Sequence, residues 1–227
     1  MFQSHKRSVK EKLLSLLFAV ALFCFILTFS IGLPIYCRPF YYMQIDALDL
    51  VEFSGFSKIA IKEAYDQVLD YLTLPGKEFG TGVMAHSEEG AAHFADCKVL
   101  FDLNATVLIC SGLCLLVLLW LRRNGKTGPY RLGHRSSAFY AAVFAVVLPV
   151  VIGALAALDF DRAFVIFHSI FFPGKDNWIF DWRTDEIILV LPQEFFMYCA
   201  MLIGASVLLF AGILLVREYH QAKTQVK

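Results

Sequence analysis

The sequence predicts an all-α membrane protein, a bundle of four transmembrane helices with an extracytoplasmic cap of amphipathic helices and loops. Hydrophobic residues make up 58% of the 227 residues and charged residues only 18%. Soluble domains average about 45–50% apolar and about 25% charged residues. We therefore treat residues 1–227 as a single integral membrane domain.

Four uncharged apolar segments are predicted to span the bilayer, and they cover residues 13–33, 103–121, 138–158 and 195–216. Each is long enough, because a helix needs about 20 apolar residues to cross the hydrocarbon core. A signal peptide is the competing interpretation of the first segment, but no small-residue cleavage site follows it. We expect it to be retained as a helix, and Pro149 to kink the third span.

The charges beside the spans predict the topology. Residues 1–12, 122–137 and 217–227 carry 12 basic and 2 acidic residues, whereas residues 34–102 and 159–194 carry 8 basic and 18 acidic ones. The two sets thus have net charges of +10 and −10. Because basic loops stay in the cytoplasm, this multi-pass protein of the cell membrane should have both termini inside and both acidic segments outside.

The first acidic segment should contain one amphipathic helix and the start of another. Ser57 can cap a helix that runs to about Leu72 with apolar residues at helical spacing. Ser87 can cap a second helix, and no breaker follows it before Arg122. This second helix should therefore continue directly into the second span.

The second acidic segment contains an apolar decapeptide, 163–172, followed by a Pro-Gly turn and a polar cluster. Ten residues are too few to cross a bilayer, so the decapeptide should be interfacial, re-entrant or part of a buried core. Trp178 follows the polar cluster, where an aromatic ring suits the headgroup layer.

Three histidines lie in the predicted outer segments: His86, His93 and His168. Asp96 shares a helix face with His93 and can orient its ring. Imidazoles at a bilayer surface suit proton transfer on a lipid ester, because their pKa lies near neutral pH. The spans contain no Asp, Glu, Lys, Arg or His, which argues against an ion or solute pump.

Several familiar motifs are absent from the sequence. It has no nucleophile elbow, no zinc-protease helix motif and no phosphate-binding glycine loop. The six cysteines lack metal-site spacing, and a bond between Cys37 and Cys97 is permitted but not implied. The basic residues form the topology signal rather than a nucleic-acid surface.

Three stretches in or beside the outer segments form recognisable motifs. The first is Ser87-Glu88-Glu89-x-x-x-His93-x-x-Asp96-x-Lys98-x-Leu100-Phe101, the second is Phe167-His168-x-x-Phe171-Phe172-Pro173-Gly174-x-Asp176-Asn177-Trp178-x-Phe180-Asp181, and the third is Leu191-Pro192-x-Glu194-Phe195-Phe196. Together they resemble the lipoprotein intramolecular transacylase (Lit) family of Gram-positive bacteria. The first motif departs from the family in Gly90-Ala91-Ala92, where bulkier residues are more usual.

The resemblance implies an acyltransferase that needs no cofactor or metal. It would move the sn-2 acyl chain of a diacylglyceryl lipoprotein to the α-amine of the N-terminal cysteine, giving a lyso-form lipoprotein among the membrane lipids. The family's two essential histidines map onto His93 and His168, and which is base and which is acid stays open. Supporting roles, in orienting a ring or stabilising an oxyanion, are expected among Asp96, Asp176, Asn177 and Asp181, and Trp178 should anchor the loop.

Two alternatives remain open at this point. A membrane-embedded hydrolase or protease could use the same histidines, with or without a metal, and would release a water-cleaved product. A non-catalytic membrane scaffold could bind a partner through its outer cap, and it would keep its function when either histidine is replaced.

Overall fold

The computed structural model of the protein describes residues 8–224, so Lys6, Arg7 and Lys227, three of the basic residues that predict the topology, lie outside the described residues. In chain order the described part forms α1 Val9–Tyr36, α2 Arg38–Ala47, α3 Leu50–Ser54, α4 Lys58–Thr73, α5 Glu88–Arg123, the strands β1 Arg131–Leu132 and β2 Arg135–Ser136, α6 Ser137–Leu158, α7 Phe160–Phe171, a 3-10 helix Glu186–Leu189, and α8 Gln193–Thr224.

Four of these helices, α1, α5, α6 and α8, are long and apolar enough to cross a membrane. Each contains one of the four predicted spans, so the all-α membrane class and the four spans are confirmed. The helices extend beyond the apolar segments, and α5 is a continuous helix of 36 residues that begins directly after Ser87. Pro149 lies inside α6.

The chain divides into two compact units, and the first comprises Met1–Ser30, Thr106–Ile152 and Gly204–Lys227. Its short antiparallel hairpin pairs Arg131 with Ser136, a turn that the sequence does not predict. Ser136 N donates to Glu218 Oε1 at 3.2 Å, which ties the hairpin to α8.

The second unit comprises Ile31–Ala105 and Gly153–Ile203, and its core is built around α4. Ser57 Oγ accepts from Ala60 N at 3.2 Å, so the predicted cap is confirmed. The buried face of α4 consists of Ile61, Ala64, Tyr65, Val68, Leu69 and Leu72. The Tyr65 ring stacks on Tyr41 with centroids 3.7 Å apart. Burying a large apolar side chain contributes roughly 1.5–3 kcal/mol, so this face holds the unit together.

Two helices in this unit, α2 and α3, are not predicted from the sequence. Helix α2 begins two residues after α1 ends, and its Arg38 binds the polar face of α4 through Asp66 at 2.5 Å and through Asp70. Cys37, in the junction before α2, and Cys97 are free thiols.

Candidate active site

His93 lies in the second turn of α5, in the second unit. Ser87 caps this helix, because its Oγ accepts from Gly90 N at 2.9 Å. The His93 side chain is buried, with 5% of the residue exposed. Its Nε2 lies 3.4 Å from Cys97 Sγ, one turn further along the same helix. Its Nδ1 is buried, and burial and the neighbouring His168 lower the pKa of the ring to about 4, although the interaction with the Asn177 side chain opposes this.

His168 lies on α7, which contains most of the apolar decapeptide. Asp159 caps this helix by accepting from Arg162 N at 2.9 Å. The 12 residues of α7 extend for about 18 Å, too short to cross a bilayer. His168 faces inward with 6% exposure. Its exposed apolar neighbours on the helix are Val165, Ile166, Phe167, Ile170 and Phe171.

The two histidines, which are far apart in sequence, come together in the second unit. Their ring centroids are 5.8 Å apart. Aromatic side chains surround the pair: Phe172 and Phe180 lie 5.0 and 5.5 Å from the His93 ring, and Phe164 lies 4.3 Å from the His168 ring. The pair is thus held in a largely apolar enclosure, in which a charged imidazole is costly.

A backbone carbonyl orients the His168 ring. His168 Nδ1 lies 2.8 Å from Phe164 O, and a carbonyl can only accept, so Nδ1 carries the hydrogen. The Nε2 atom is then left with a lone pair that can take up a proton. Burial lowers the pKa of His168 below the ordinary histidine value, although the bond to the Phe164 carbonyl opposes this. The neutral ring is therefore the form present near neutral pH.

The charge of Asp96 raises the pKa of His93, but its hydrogen bonds are made to the loop after α7. Its Oδ1 accepts from Lys175 Nζ at 2.5 Å and its Oδ2 accepts from Asn177 Nδ2 at 3.2 Å. Both carboxylate oxygens are therefore used to attach the loop after α7 to α5. The Asn177 side chain also interacts with the His93 ring, so it lies between Asp96 and that histidine.

Trp178 covers His168 instead of serving only as a headgroup anchor. Its ring stacks on the imidazole with centroids 4.5 Å apart and an interplanar angle of 25°. The indole Nε1 donates to Lys175 O at 3.1 Å, which fixes the ring within the loop. Trp178 therefore belongs to the walls of the site.

The two other acidic residues expected near the histidines have different positions. Asp176 is exposed, and its backbone carbonyl accepts from Ile179 N at 3.0 Å. Asp181 is also exposed, and its carboxylate accepts from Arg183 N at 3.0 Å. Both residues therefore organise turns, and the orienting of His168 falls to the Phe164 carbonyl.

Asp185, beside the start of α5, is not predicted from the sequence. It is 3% exposed and binds Ser87 at the start of α5. No local pattern marks it, because its partner lies 98 positions earlier in the chain.

His86 is separate from the histidine pair. Its Nδ1 lies 3.0 Å from Thr81 Oγ1, and its ring packs edge-on against Phe79. Among residues 8–224, no group of three or more histidine, cysteine, aspartate or glutamate side chains is placed to hold a metal ion.

Comparisons with known proteins agree with this architecture. The family model for the lipoprotein intramolecular transacylase Lit matches residues 16–196. A solved structure of the membrane-integral lipoprotein intramolecular transacylase Lit from Bacillus cereus superposes with a TM-score of 0.84 at 23% identity, covering 96% of this chain and 99% of that one. A structure of the same Bacillus cereus protein with a histidine-to-alanine mutation gives a TM-score of 0.77 at 22% identity, over 95% of each chain. No curated protein matches the chain by sequence.

The four spans and the family match define the class of this protein, an integral membrane acyltransferase. The match covers well over half of the chain. The chain belongs to the lipoprotein intramolecular transacylase (Lit) family.

Proposed function

We propose that this protein moves the sn-2 acyl chain of a diacylglyceryl lipoprotein from glycerol to the α-amine of the N-terminal cysteine, and that His93 and His168 carry the proton transfers. The product is a lyso-form lipoprotein with an N-acyl cysteine and a monoacylglyceryl thioether. Family membership supports the substrate class. One observation carries the residue assignment, namely the two buried imidazoles with centroids 5.8 Å apart.

His168 is assigned as the general base. Its Nδ1 hydrogen is held by Phe164 O, so Nε2 is the atom available to receive a proton. The α-amine has an ordinary pKa of about 8 and must lose a proton in forming the amide. As its nitrogen attacks the ester carbonyl, the proton passes to His168 Nε2 and a tetrahedral intermediate forms.

His93 is assigned to the leaving oxygen. When the tetrahedral intermediate collapses, the bond between the acyl carbon and the sn-2 glycerol oxygen breaks, and that oxygen must gain a proton. The attacking nitrogen and the leaving oxygen are bonded to the same carbon, so two rings in close proximity can serve both. Burial and the neighbouring His168 lower the pKa of His93 to about 4, so both rings begin neutral. The proton accepted by His168 passes to His93, directly or through one water, and from there to the leaving oxygen, so both rings return to their starting forms.

Two effects supply the acceleration. Each proton transfer by a positioned side chain is worth about 10²–10⁴-fold. The amine and the ester belong to one molecule, so holding them in a reactive geometry contributes about 7–11 kcal/mol. The enclosure of Phe172, Phe180 and Trp178 supports both the proton transfers and the holding of the amine against the ester, because its aromatic rings exclude water that would compete with the amine.

Mass spectrometry of a synthetic diacylglyceryl lipopeptide tests this function. Purified protein in lipid should convert the peptide to an isomer of unchanged mass, and fragmentation should locate one acyl chain on the N-terminal amine. A substrate whose amine is acetylated should not react. His93→Ala and His168→Ala should each abolish the isomer while the protein remains in the membrane.

The same measurement separates the alternatives. A hydrolase would release a free fatty acid and leave a lighter peptide, and loss of activity with a chelator would indicate a metal. A scaffold would leave the lipopeptide intact. Either result with folded wild-type protein would contradict the transacylase function.

A further inference from the structure

Asp185 forms a buried connection between the segment before the 3-10 helix and the first turn of α5. Its Oδ1 accepts from Ser87 N at 2.8 Å, and Ser87 Oγ lies 2.9 Å from both carboxylate oxygens. Thr184 Oγ1 donates to Oδ2 at 2.8 Å. A buried carboxylate is tolerated when it is hydrogen-bonded in this way, and charge-assisted bonds of this kind are among the stronger ones.

The connection continues into the helix that carries His93. Ser87 Oγ donates to Asp185 and at the same time accepts from Gly90 N at 2.9 Å. The negative carboxylate also lies at the N-terminal end of α5, where the helix dipole favours an anion. Three residues are thereby linked in series at the start of the helix: Asp185, Ser87 and Gly90.

Gly90 is the only residue type that fits this arrangement. A Cβ atom at this position would lie 2.1 Å from Asp185 Oδ1 and 3.1 Å from Phe180 Cε1. The space for a side chain is already occupied by the carboxylate and by a ring that packs 5.5 Å from the His93 imidazole. The glycine therefore permits close contact between α5 and the Asp185 segment.

We propose that Asp185 is a positioning residue for the transacylation. Through Ser87 and Gly90 it fixes the first turn of α5, both along the helix axis and in rotation about it, and hence the position of His93 beside His168. This inference rests on the proposed function, because it concerns the geometry of the same reaction. Asp185 does not contact either ring in the described structure. Its effect comes from the rigidity of the helical turn between Gly90 and His93.

Asp185→Asn tests the proposal with little change in volume. Asparagine has one acceptor oxygen, so it cannot satisfy Ser87 N, Ser87 Oγ and Thr184 Oγ1 together. We expect kcat for the isomerisation to fall about 10- to 100-fold, because a displacement of about 1 Å can cost 10²-fold in rate. KM should stay within about twofold, because the substrate-binding surface is unchanged.

Glu186→Gln is the matched control for Asp185→Asn. Glu186 adjoins Asp185, and its Oε2 accepts from Ala85 N at 2.7 Å. Glutamine keeps one acceptor oxygen, which is enough for one donor, so both kcat and KM should remain at wild-type values.

Ser87 provides a second test that leaves Asp185 unchanged. Ser87→Ala removes the hydroxyl that joins Asp185 to Gly90 N, and it should lower kcat with little effect on KM. Ser87→Thr keeps a hydroxyl and should restore most of kcat. Recovery with threonine separates a specific hydrogen bond from a general loss of packing.

A double-mutant cycle examines Gly90. Gly90→Ala should lower kcat because the added Cβ meets Asp185 Oδ1. In an Asp185→Ala background the carboxylate is gone, so Gly90→Ala should cost much less than in wild-type protein. Equal costs in the two backgrounds would mean that the two residues act independently.

Several outcomes would overturn the positioning role. With active wild-type protein, it is wrong if Asp185→Asn and Ser87→Ala retain wild-type kcat, or if KM rises while kcat is unchanged. Should Asp185→Asn fail to fold, the Ser87→Ala and Ser87→Thr pair decides the question. Failure of the proposed function looks different, because the wild-type protein would then form no isomer.

Discussion

The two histidines have different surroundings, and the difference sets their expected roles. His168 has its Nδ1 fixed by a backbone carbonyl and its ring covered by Trp178. His93 has a thiol near Nε2 and the Asn177 side chain interacting with its ring, and burial and the neighbouring His168 lower its pKa to about 4.

Replacing each histidine with glutamine tests for proton transfer. Glutamine can hydrogen-bond but cannot carry a proton near neutral pH, so His93→Gln and His168→Gln should each lose at least about 10²-fold in kcat. Lipopeptide binding, measured separately, should be retained. His86→Gln is the control and should be nearly fully active, because His86 contacts Thr81 and Phe79 instead. Nearly full activity of His93→Gln would make His93 a hydrogen-bonding residue only.

Trp178→Ala tests the assignment of His168 as base through the pH profile of kcat. The base must be neutral to accept a proton, and burial lowers the pKa of His168, so wild-type kcat should persist to more acidic pH than the ordinary value of about 6.5 predicts. Removing the stacked indole admits water to the ring, which raises the pKa and moves the acidic limb to higher pH. Trp182→Ala is the control, since Trp182 is 55% exposed and contacts Arg183. A limb that moves to lower pH would contradict the assignment.

The sequence singles out the two histidines but does not predict the hydrogen-bond partners of the groups around them. His93 and His168 are found because a titratable ring in an apolar outer segment is unusual and because the motifs match a family. The sequence spacing places Asp96 on the same helix face as His93. Its hydrogen bonds, however, are made to Lys175 and Asn177, which come from another segment. Such partners depend on tertiary contacts, which residue spacing cannot specify.

At the level of elements, the loop after α7 is held to α5 by the carboxylate of Asp96. The ion pair with Lys175 is partly exposed, with 49% of the lysine and 24% of the aspartate side chain accessible. Exposed ion pairs contribute about 0–1 kcal/mol, so the effect on overall stability is small. The loop also carries Trp178, which stacks on His168. Loss of the Asp96 contact should therefore affect the geometry of the site more than the stability of the protein.

Asp96→Asn should therefore affect activity more than stability. Asparagine can accept from only one of Lys175 and Asn177, which loosens the loop and the cover over His168. We expect kcat to fall about tenfold, an effect typical of lost positioning groups, with a thermal midpoint close to wild type. Lys175→Met should give a smaller loss that does not add to that of Asp96→Asn. Full additivity would show that the two side chains act separately.

The buried face of α4 gives a prediction about stability. Ile61 is fully buried at 0% exposure, while Ile59 on the same helix is 79% exposed. Ile61→Ala should lower the free energy of unfolding by about 2–5 kcal/mol. Ile59→Ala makes the same chemical change at the surface and should leave stability nearly unaltered. Denaturation of the protein in lipid or detergent measures both, and equal losses would contradict the core assignment.

Helix α4 was predictable and its neighbours α2 and α3 were not, for reasons of length and pattern. The helical periodicity of α4 continues over 16 residues, so both the cap and the buried face can be read in advance. Helix α3 has five residues, and strands β1 and β2 have two each, which is too short for any periodicity. Helix α2 begins two residues after α1 ends, so Cys37 is the only residue between them and no loop in the sequence marks the boundary.

On the scale of the whole molecule, the four spans follow from composition, while the sidedness is predicted from charge alone. Cysteine labelling tests this sidedness in a background without the six native cysteines. Lys77→Cys lies in an acidic segment and should react with an impermeant reagent added outside, whereas Arg123→Cys should react only after the membrane is opened. Both positions are exposed. The reverse pattern would invert the topology.

The exposed apolar side of α7 also bears on which fatty acids the enzyme uses. In a membrane protein, a surface such as that of Ile166, Phe167 and Ile170 is suited to contact with lipid tails. Under the proposed function, an acyl chain whose ester lies beside the buried histidines would extend out along this face and stay in the surrounding lipid before and after the transfer. An enclosing pocket would discriminate between acyl chains that differ in length by about 1–3 kcal/mol per methylene. A chain that stays in lipid throughout the transfer gives no such difference between chain lengths. The amide-linked chains should therefore have the same composition as the fatty acids of the host membrane. When a change in growth temperature remodels those fatty acids, the amide-linked chains of the product should change in the same way.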